Sequence, residues 1–251
     1  MLIDTHCHIH DFNLYTLNPD ETIIRAHEAG VMQMICIGTN VTDSRVAVKF
    51  ASSHEEVYAS VGAHPHELKD GLGGLEEIIK SGSKKIVAIG EIGLDYHTSD
   101  TPHDEQIQAF ETQIQLALKY DLPIIFHVRE AFDDFWPVFD KYQGIRGVLH
   151  SFTDTIENAR EGLKKGLYIG VNGYSTFIKD QSQKDMFASL PLDKIILETD
   201  APFLTPVPFR GKVNEPAFVR NIADYQSNIR QISLDEVAKT TTANAQSLFN
   251  L

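Results

Sequence analysis

The chain has 251 residues, a hydrophobic content of 42% and a formal net charge of −13. The length suits one large domain, and the ordinary hydrophobic content excludes a disordered chain. The acidic balance disfavours tight non-specific binding to DNA, which relies on clustered lysine and arginine.

Cysteine content and hydropathy indicate the compartment. Cys7 and Cys36 are the only cysteines, too few for a disulfide framework. No apolar run approaches the roughly 20 residues of a membrane span. A strand follows Met1 directly, which leaves no room for a signal peptide. We therefore expect a cytoplasmic protein that does not contact a membrane.

Apolar strands and amphipathic helices alternate along the chain. The helix from Pro19 has Asn18 as its N-cap, and the last helix opens with a capping box from Ser233 to Glu236. In chain order, the pattern predicts a strand over 2–8, helix 19–29, strand 31–38, helix 42–54, strand 57–61, helix 74–81, strand 85–92, a long helix from 102, strand 122–128, helix 131–142, strand 147–152, a helix capped by Asp154 and Glu157 that ends before 166, strand 167–171, helix 183–190, strand 194–199, helix 216–229 and a final helix from 234.

Eight strand-helix units are the number that closes a (β/α)8 barrel. Several strands are apolar on both faces, as parallel strands covered by helices are. We expect an α/β protein with a single (β/α)8 TIM barrel over residues 1–251. An open doubly wound sheet is the alternative, but no glycine-rich phosphate fingerprint follows an early strand.

Residues that bind metals recur at the carboxyl ends of the predicted strands. In the first strand, His6 and His8 point to one face because side chains alternate. The full set of candidate metal ligands is His6, His8, Glu91, His127, His150 and Asp200. In a barrel these strand ends converge on one face, where active sites are built.

Six ligands exceed the need of one catalytic zinc ion, which takes about three. We expect two divalent ions: His6, His8 and Asp200 hold one, His127 and His150 hold the other, and Glu91 bridges them. Ligands of this type suit Zn, Mn or Mg, so the metal stays open. Two such ions can bind a hydroxide between them and clamp a phosphoryl oxygen.

Six stretches, five of which contain these candidate ligands, resemble the TatD-type metal-dependent deoxyribonucleases of the amidohydrolase superfamily. The resemblance covers essentially the whole chain. The matching stretches are residues 3–8, 61–66, 90–96, 126–129, 149–152 and 198–202, and Arg210 and residues 214–216 also match. Val128 departs from the family, which often has serine there, and so does His97 after Tyr96.

The resemblance implies a two-metal barrel that hydrolyses DNA from the 3′ end, often as single strands, with Glu91 as the bridging ligand. Asp200 is then expected to orient the metal-bridged hydroxide and accept its proton. His64, which ends the third strand, is expected to contact the scissile phosphate or the leaving group, or only to stabilise its loop. No obligate protein partner is evident.

The roles of several further residues stay open. Arg129 and Arg210 are candidates for phosphate binding, or instead pair with Asp95, Glu130 or Glu215. Asp4 and Glu198 are expected to support ligands rather than bind an ion. Phe132 and Trp136 are expected to pack their helix.

Two other functions fit the same chain. Related barrels cleave esters or amides, and some similar proteins remove D-amino acids from tRNA, which fold and metal set cannot separate. A non-catalytic barrel that binds a partner is the second alternative, and the complete ligand set counts against it.

Overall fold

The computed structural model describes residues 1–251, and its helices and strands alternate as the sequence predicts. The strands are β1 (Leu2–Cys7), β2 (Val31–Ile37), β3 (Val57–Val61), β4 (Ile86–Asp95), β5 (Ile124–Arg129), β6 (Gly147–Leu149), β7 (Tyr168–Val171) and β8 (Ile195–Leu197). The helices are α1 (Pro19–Glu28), α2 (Val41–Ser52), α3 (Leu75–Lys80), α4 (His103–Lys119), α5 (Phe132–Phe139), α6 (Ile156–Lys164), α7 (Gln181–Ser189), α8 (Val219–Arg230) and α9 (Leu234–Phe249).

All eight strands belong to one sheet in the order β1 to β8. Such a sheet, with helices between its parallel strands, is the (β/α)8 barrel fold that the strand count predicted. Four short 3-10 helices are added to this pattern, at Leu68–Asp70, Gly173–Thr176, Leu192–Lys194 and Pro216–Phe218.

The chain forms two compact units. The first comprises residues 1–36 and 151–251. Within it β1 pairs with β2 and β7 pairs with β8, both in parallel. An isolated parallel bridge joins Cys7 at the end of β1 to Ala201 beyond β8. The carboxyl ends of β1 and β8 are therefore neighbours.

The second unit comprises residues 37–150. Here β4 pairs in parallel with both β3 and β5, and β5 pairs with β6. Phe110 of α4, Phe126 of β5 and Phe135 of α5 are fully buried, with ring centroids between 5.2 and 5.9 Å apart. Such aromatic contacts stabilise a core beyond the area that they bury.

The end of β4 differs from the prediction. The strand was expected to end at Ile92, just after Glu91, but it continues to Asp95 by pairing Gly93, Leu94 and Asp95 with β5. Gly93 allows this close approach, because a Cβ atom there would collide with the His127 carbonyl. Glu91 therefore lies inside a strand rather than at its end.

Other corrections concern the ends of elements. Strand β6 stops at Leu149, so His150 follows the strand rather than lying within it. The N-cap of α6 is Thr155, whose side chain accepts from the amide of Asn158. Asp154 was predicted to cap this helix, but its carboxylate binds the Asn158 side chain instead.

The predicted caps of the first and last helices are confirmed. The Asn18 side chain accepts from the amides of Asp20 and Glu21, and the Ser233 hydroxyl accepts from the amide of Glu236. Phe132 and Trp136 pack against Phe135 of their own helix, which agrees with the expected helix-packing role. None of the helices combines the length and apolar character that crossing a membrane requires.

Candidate metal centre

The first unit brings together His6, His8 and Asp200. The Nε2 atoms of His6 and His8 lie 3.3 Å apart. Each of them lies 3.6 Å from Oδ1 of Asp200. His6 lies in β1 and His8 directly follows it, and the alternation of extended backbone places both imidazoles on one face. The three predicted ligands of one ion thus form one cluster, which we call the HHD cluster.

Backbone bonds between the ends of β1 and β8 fix this cluster. The amide of Asp200 donates to the His6 carbonyl at 2.8 Å, and the amide of His8 donates to the Ala201 carbonyl at 2.8 Å. Asp200 has a left-handed backbone, with φ of 60°, which is uncommon outside glycine and is often retained at functional sites. The unusual backbone turns the carboxylate of Asp200 towards the two imidazoles.

Asp4 supports the HHD cluster without belonging to it. Its carboxylate accepts from the amide of Thr199 at 2.8 Å, from the Thr199 hydroxyl at 2.6 Å and from the amide of His6 at 3.3 Å. It therefore holds the residue next to Asp200. Burial keeps the pKa of Asp4 well above its ordinary value, although these hydrogen bonds act in the opposite direction.

The second unit brings together Glu91, His127, His150 and His64, which we call the Glu91 cluster. Oε1 of Glu91 lies 2.7 Å from Nδ1 of His127 and 3.6 Å from Nε2 of both His150 and His64. Glu91 therefore lies among three imidazoles. His64 was predicted as a substrate contact, but its position also allows it to bind a metal with Glu91 and His127.

Asp95 lies beside His127, a position that the sequence did not indicate. Its Oδ2 atom lies 3.0 Å from Nε2 of His127, on the ring edge opposite Glu91, and 3.0 Å from Nε2 of His66. Oδ1 accepts from the amides of His97 and Thr98. A carboxylate on one ring nitrogen fixes the tautomer that presents the other nitrogen to a metal. Asp95 therefore orients His127 so that Nδ1 faces Glu91.

The charges in this cluster follow from these contacts. Burial alone lowers the pKa of His127, but hydrogen bonds to Asp95 and Glu91 outweigh it and raise the pKa to about 9. Burial opposes ionisation of Asp95 as well, yet hydrogen bonds from His127 and Thr98 hold its pKa far below the usual range. Burial, and then the nearby His127, keep the pKa of His64 well below its ordinary value. At pH 7 these shifts favour a neutral His64 and a protonated His127 in the metal-free protein.

Both clusters have the donor chemistry of a divalent-metal site. Ligand atoms that surround a tetrahedral zinc ion at about 2.1 Å lie about 3.4 Å from one another. The 3.3 and 3.6 Å separations in the HHD cluster match this spacing. Two imidazole nitrogens and a carboxylate oxygen directed at one point are the ligands that zinc and manganese accept. The residues of the HHD cluster therefore fit a metal ion.

The other residues that the sequence predicted near the site have contacts outside the two clusters. Glu198 accepts from the amide of Ser151 at 2.6 Å. Glu215 binds Arg25 at 2.6 Å, and Glu130 binds His97 at 2.7 Å. These two acidic residues therefore pair with groups other than Arg129 and Arg210. Arg129 ends β5 and is exposed. Arg210 is also exposed; it donates to the Thr205 carbonyl and lies 3.6 Å above the ring of Phe177.

Fold and site together define an enzyme of the metal-dependent hydrolase class. The chain belongs to the family described as TatD related DNase, whose profile matches residues 3–250.

Several relatives extend this comparison. The chain is 36% identical to YabD of Bacillus subtilis, named as a metal-dependent hydrolase, over 100% of both chains. It is 34% identical to a protein of Erwinia tasmaniensis named 3′-5′ ssDNA/RNA exonuclease TatD, over 92% of this chain and 93% of the other. The crystal structure of YjjV, a TatD homologue of Escherichia coli, superposes with a TM-score of 0.91 at 31% identity, covering 100% of this chain and 98% of that one.

Proposed function

We propose that this hydrolase cleaves phosphodiester bonds of DNA, removing nucleotides from the 3′ ends of single strands. The observation that carries the proposal is the HHD cluster, in which three donors meet at the spacing of a divalent-metal site. Phosphodiester hydrolysis needs a way to stabilise negative charge on the phosphoryl oxygens, which divalent ions provide. The similarity to a relative named as a 3′-5′ exonuclease supports the direction of cleavage.

We propose two divalent ions, of Zn, Mn or Mg. His6, His8 and Asp200 would hold one. His127 and His150 would hold the other, and Glu91 would serve both, as the sequence analysis predicts. When bound, such ions polarise a phosphoryl oxygen and lower the pKa of water. The neutral state of His64 suits either a ligand or a hydrogen-bond donor to the scissile phosphate.

The side chains would divide the remaining chemistry between them. Asp200 would accept the proton of the attacking water, since its carboxylate lies 3.6 Å from both imidazoles of the cluster and Asp4 holds the backbone of the preceding Thr199. Oε1 of Glu91 lies 2.7 Å from Nδ1 of His127 and 3.6 Å from Nε2 of His150, so it would bind the same ion as these two histidines. Arg129 and Arg210 would bind the phosphates on either side of the cleaved bond, because guanidinium groups match phosphate oxygens bidentately. We also propose a cytoplasmic location, which the two free thiols support.

The test is a cleavage assay with the metal-reconstituted protein. The substrates are a single-stranded DNA labelled at its 5′ end, the same DNA labelled at its 3′ end, a duplex, an RNA, and a panel of carboxylic esters and amides. We expect a ladder of products shortened from the 3′ end. Turnover of an ester or amide, including a D-aminoacyl-tRNA, with no cleavage of any oligonucleotide would overturn the proposal.

A further inference from the structure

Two exposed phenylalanines lie in the loops that follow the ligands of the HHD cluster. Phe12, in the loop after β1, is 68% exposed, and Phe203, in the loop after β8, is 49% exposed. Phe12 follows His8 by four residues, and Phe203 follows Asp200 by three. Large aromatic side chains usually contribute to cores, and exposed apolar patches mark interaction sites and binding grooves.

The loops that carry these phenylalanines are joined to each other. The His8 amide donates to the Ala201 carbonyl, while the Asp11 amide donates back to the His8 carbonyl. The Phe203 amide in turn donates to the Asp200 carbonyl at 2.8 Å. The backbone of Phe203 is thus bonded to Asp200, and that of Asp11, which precedes Phe12, is bonded to His8, although both phenylalanine rings are exposed.

A buried asparagine strengthens this connection. The side-chain amide of Asn214 donates to the Thr199 carbonyl at 2.8 Å and also to the carbonyl of Phe203. Asn214 is fully buried. Asn214 therefore links the backbone of Phe203 to that of Thr199, the residue before Asp200. Only the Phe203 ring would then be free to adjust to a ligand.

The charge of the same loop differs from that of the whole protein. Residues 201–214 contain no Asp or Glu and carry Arg210 and Lys212, whereas the chain has a net charge of −13. Both basic side chains are exposed. Arg210 is also held in place by the Phe177 ring and the Thr205 carbonyl. A rigid, basic loop in an acidic protein is complementary to a polyanion.

We propose that Phe12 and Phe203 form a stacking surface for unpaired bases, and that a single-stranded nucleic acid binds there with its phosphates along Arg210 and Lys212. This inference rests on the proposed function and names how the strand is recognised. Proteins that bind single strands combine aromatic side chains with a basic path for the backbone. Bases of a duplex are already stacked and paired, so the surface would favour frayed or single-stranded ends.

The test measures binding to metal-loaded protein by fluorescence anisotropy. The probes are a single-stranded phosphorothioate oligonucleotide, which resists hydrolysis, and an abasic strand of equal length and charge. Phe203→Ala and Phe12→Ala should each weaken binding of the base-containing strand by about 5- to 100-fold, since stacking contributes that much per base. Phe203→Trp should bind like the wild type, and binding of the abasic strand should not change in any variant.

The control is Ile24→Ala, which removes a side chain that is 58% exposed on α1, outside both loops. It should leave both affinities unchanged. Wild-type affinity in both phenylalanine variants, or an equal loss for the abasic strand, would overturn the stacking surface.

A wrong proposed function would give a different experimental result. In that case the wild type itself neither binds the oligonucleotide nor cleaves its phosphodiester counterpart. Retained DNA cleavage with unchanged binding in Phe12→Ala and Phe203→Ala would refute only the stacking surface.

Discussion

Asp95→Asn should weaken metal binding in the Glu91 cluster although Asp95 is not expected to touch the metal. Asp95 is 1% exposed and accepts five hydrogen bonds; Oδ2 accepts from His127, His66 and Thr98, and Oδ1 from the amides of His97 and Thr98. In the variant, the oxygen can keep the two amides, which places the NH2 group opposite Nε2 of His127. Two donors then face each other.

The neutral imidazole, which is the form that binds a metal, relieves this conflict by changing its tautomer. Nε2 becomes the acceptor and the proton moves to Nδ1, the nitrogen that faces Glu91. A protonated nitrogen cannot bind a metal. Loss of such an orienting partner typically lowers metal affinity by about 10- to 100-fold, which corresponds to about 1.4 to 2.7 kcal/mol of binding free energy.

The assay is a titration of metal-free protein in competition with a chromophoric chelator, combined with circular dichroism to confirm the fold. Asp134→Asn is the matched control, because Asp134 is exposed and accepts from the Tyr96 hydroxyl. We expect one of the two metal-binding steps to be weaker in Asp95→Asn than in the wild type. Asp134→Asn should bind metal with wild-type affinity. Equal affinities in Asp95→Asn and the wild type would show that Asp95 does not orient His127.

Three further outcomes follow from the structure. Glu91→Ala should abolish hydrolysis while the circular dichroism spectrum is kept, and full activity in this variant would remove Glu91 from the site. The pKa of His127 is raised to about 9 in the folded, metal-free protein, whereas it is about 6.5 in the unfolded chain. Protonation of His127 therefore stabilises the folded state fully below pH 6.5, and this stabilisation is lost as the pH rises through 9. With a pKa of about 9, metal binding should release roughly three quarters of a proton more at pH 7 than at pH 9.5. Calorimetry in buffers of different ionisation enthalpy measures this release, and a release independent of pH would contradict the assigned state of His127. Phe110→Ala should lower the free energy of unfolding by about 3 to 5 kcal/mol, because it leaves a cavity at a fully buried site. Urea denaturation measures this loss, and a loss below about 1 kcal/mol would show that the packing of the surrounding rings does not require Phe110.

Much of the fold was predictable because local signals agree with it. The alternation of β1 placed His6 and His8 on one face, and the structure confirms that their nitrogens meet. Asn18 and Ser233 marked true helix starts. These features depend on residues close in sequence, so their physics can be evaluated from the sequence.

Features that depend on distant pairing were not predictable. The extension of β4 to Asp95 requires β5 as its partner. Only this pairing places Asp95 next to His127, so the sequence could not reveal the orienting role. His64 was likewise expected to contact substrate, whereas its distance to Glu91 could be obtained only from the structure. The bond from the Asn214 side chain to the Phe203 carbonyl likewise joins residues eleven positions apart and was found only in the structure.

The central claim is that histidines and carboxylates from the ends of the strands bind divalent metal ions. Anomalous diffraction from crystals of the protein grown with zinc, recorded on both sides of the zinc edge, tests it most directly. We predict anomalous peaks bonded to His6, His8 and Asp200 and to Glu91, His127 and His150. A fully occupied peak at other residues, with none at these six, would contradict the account.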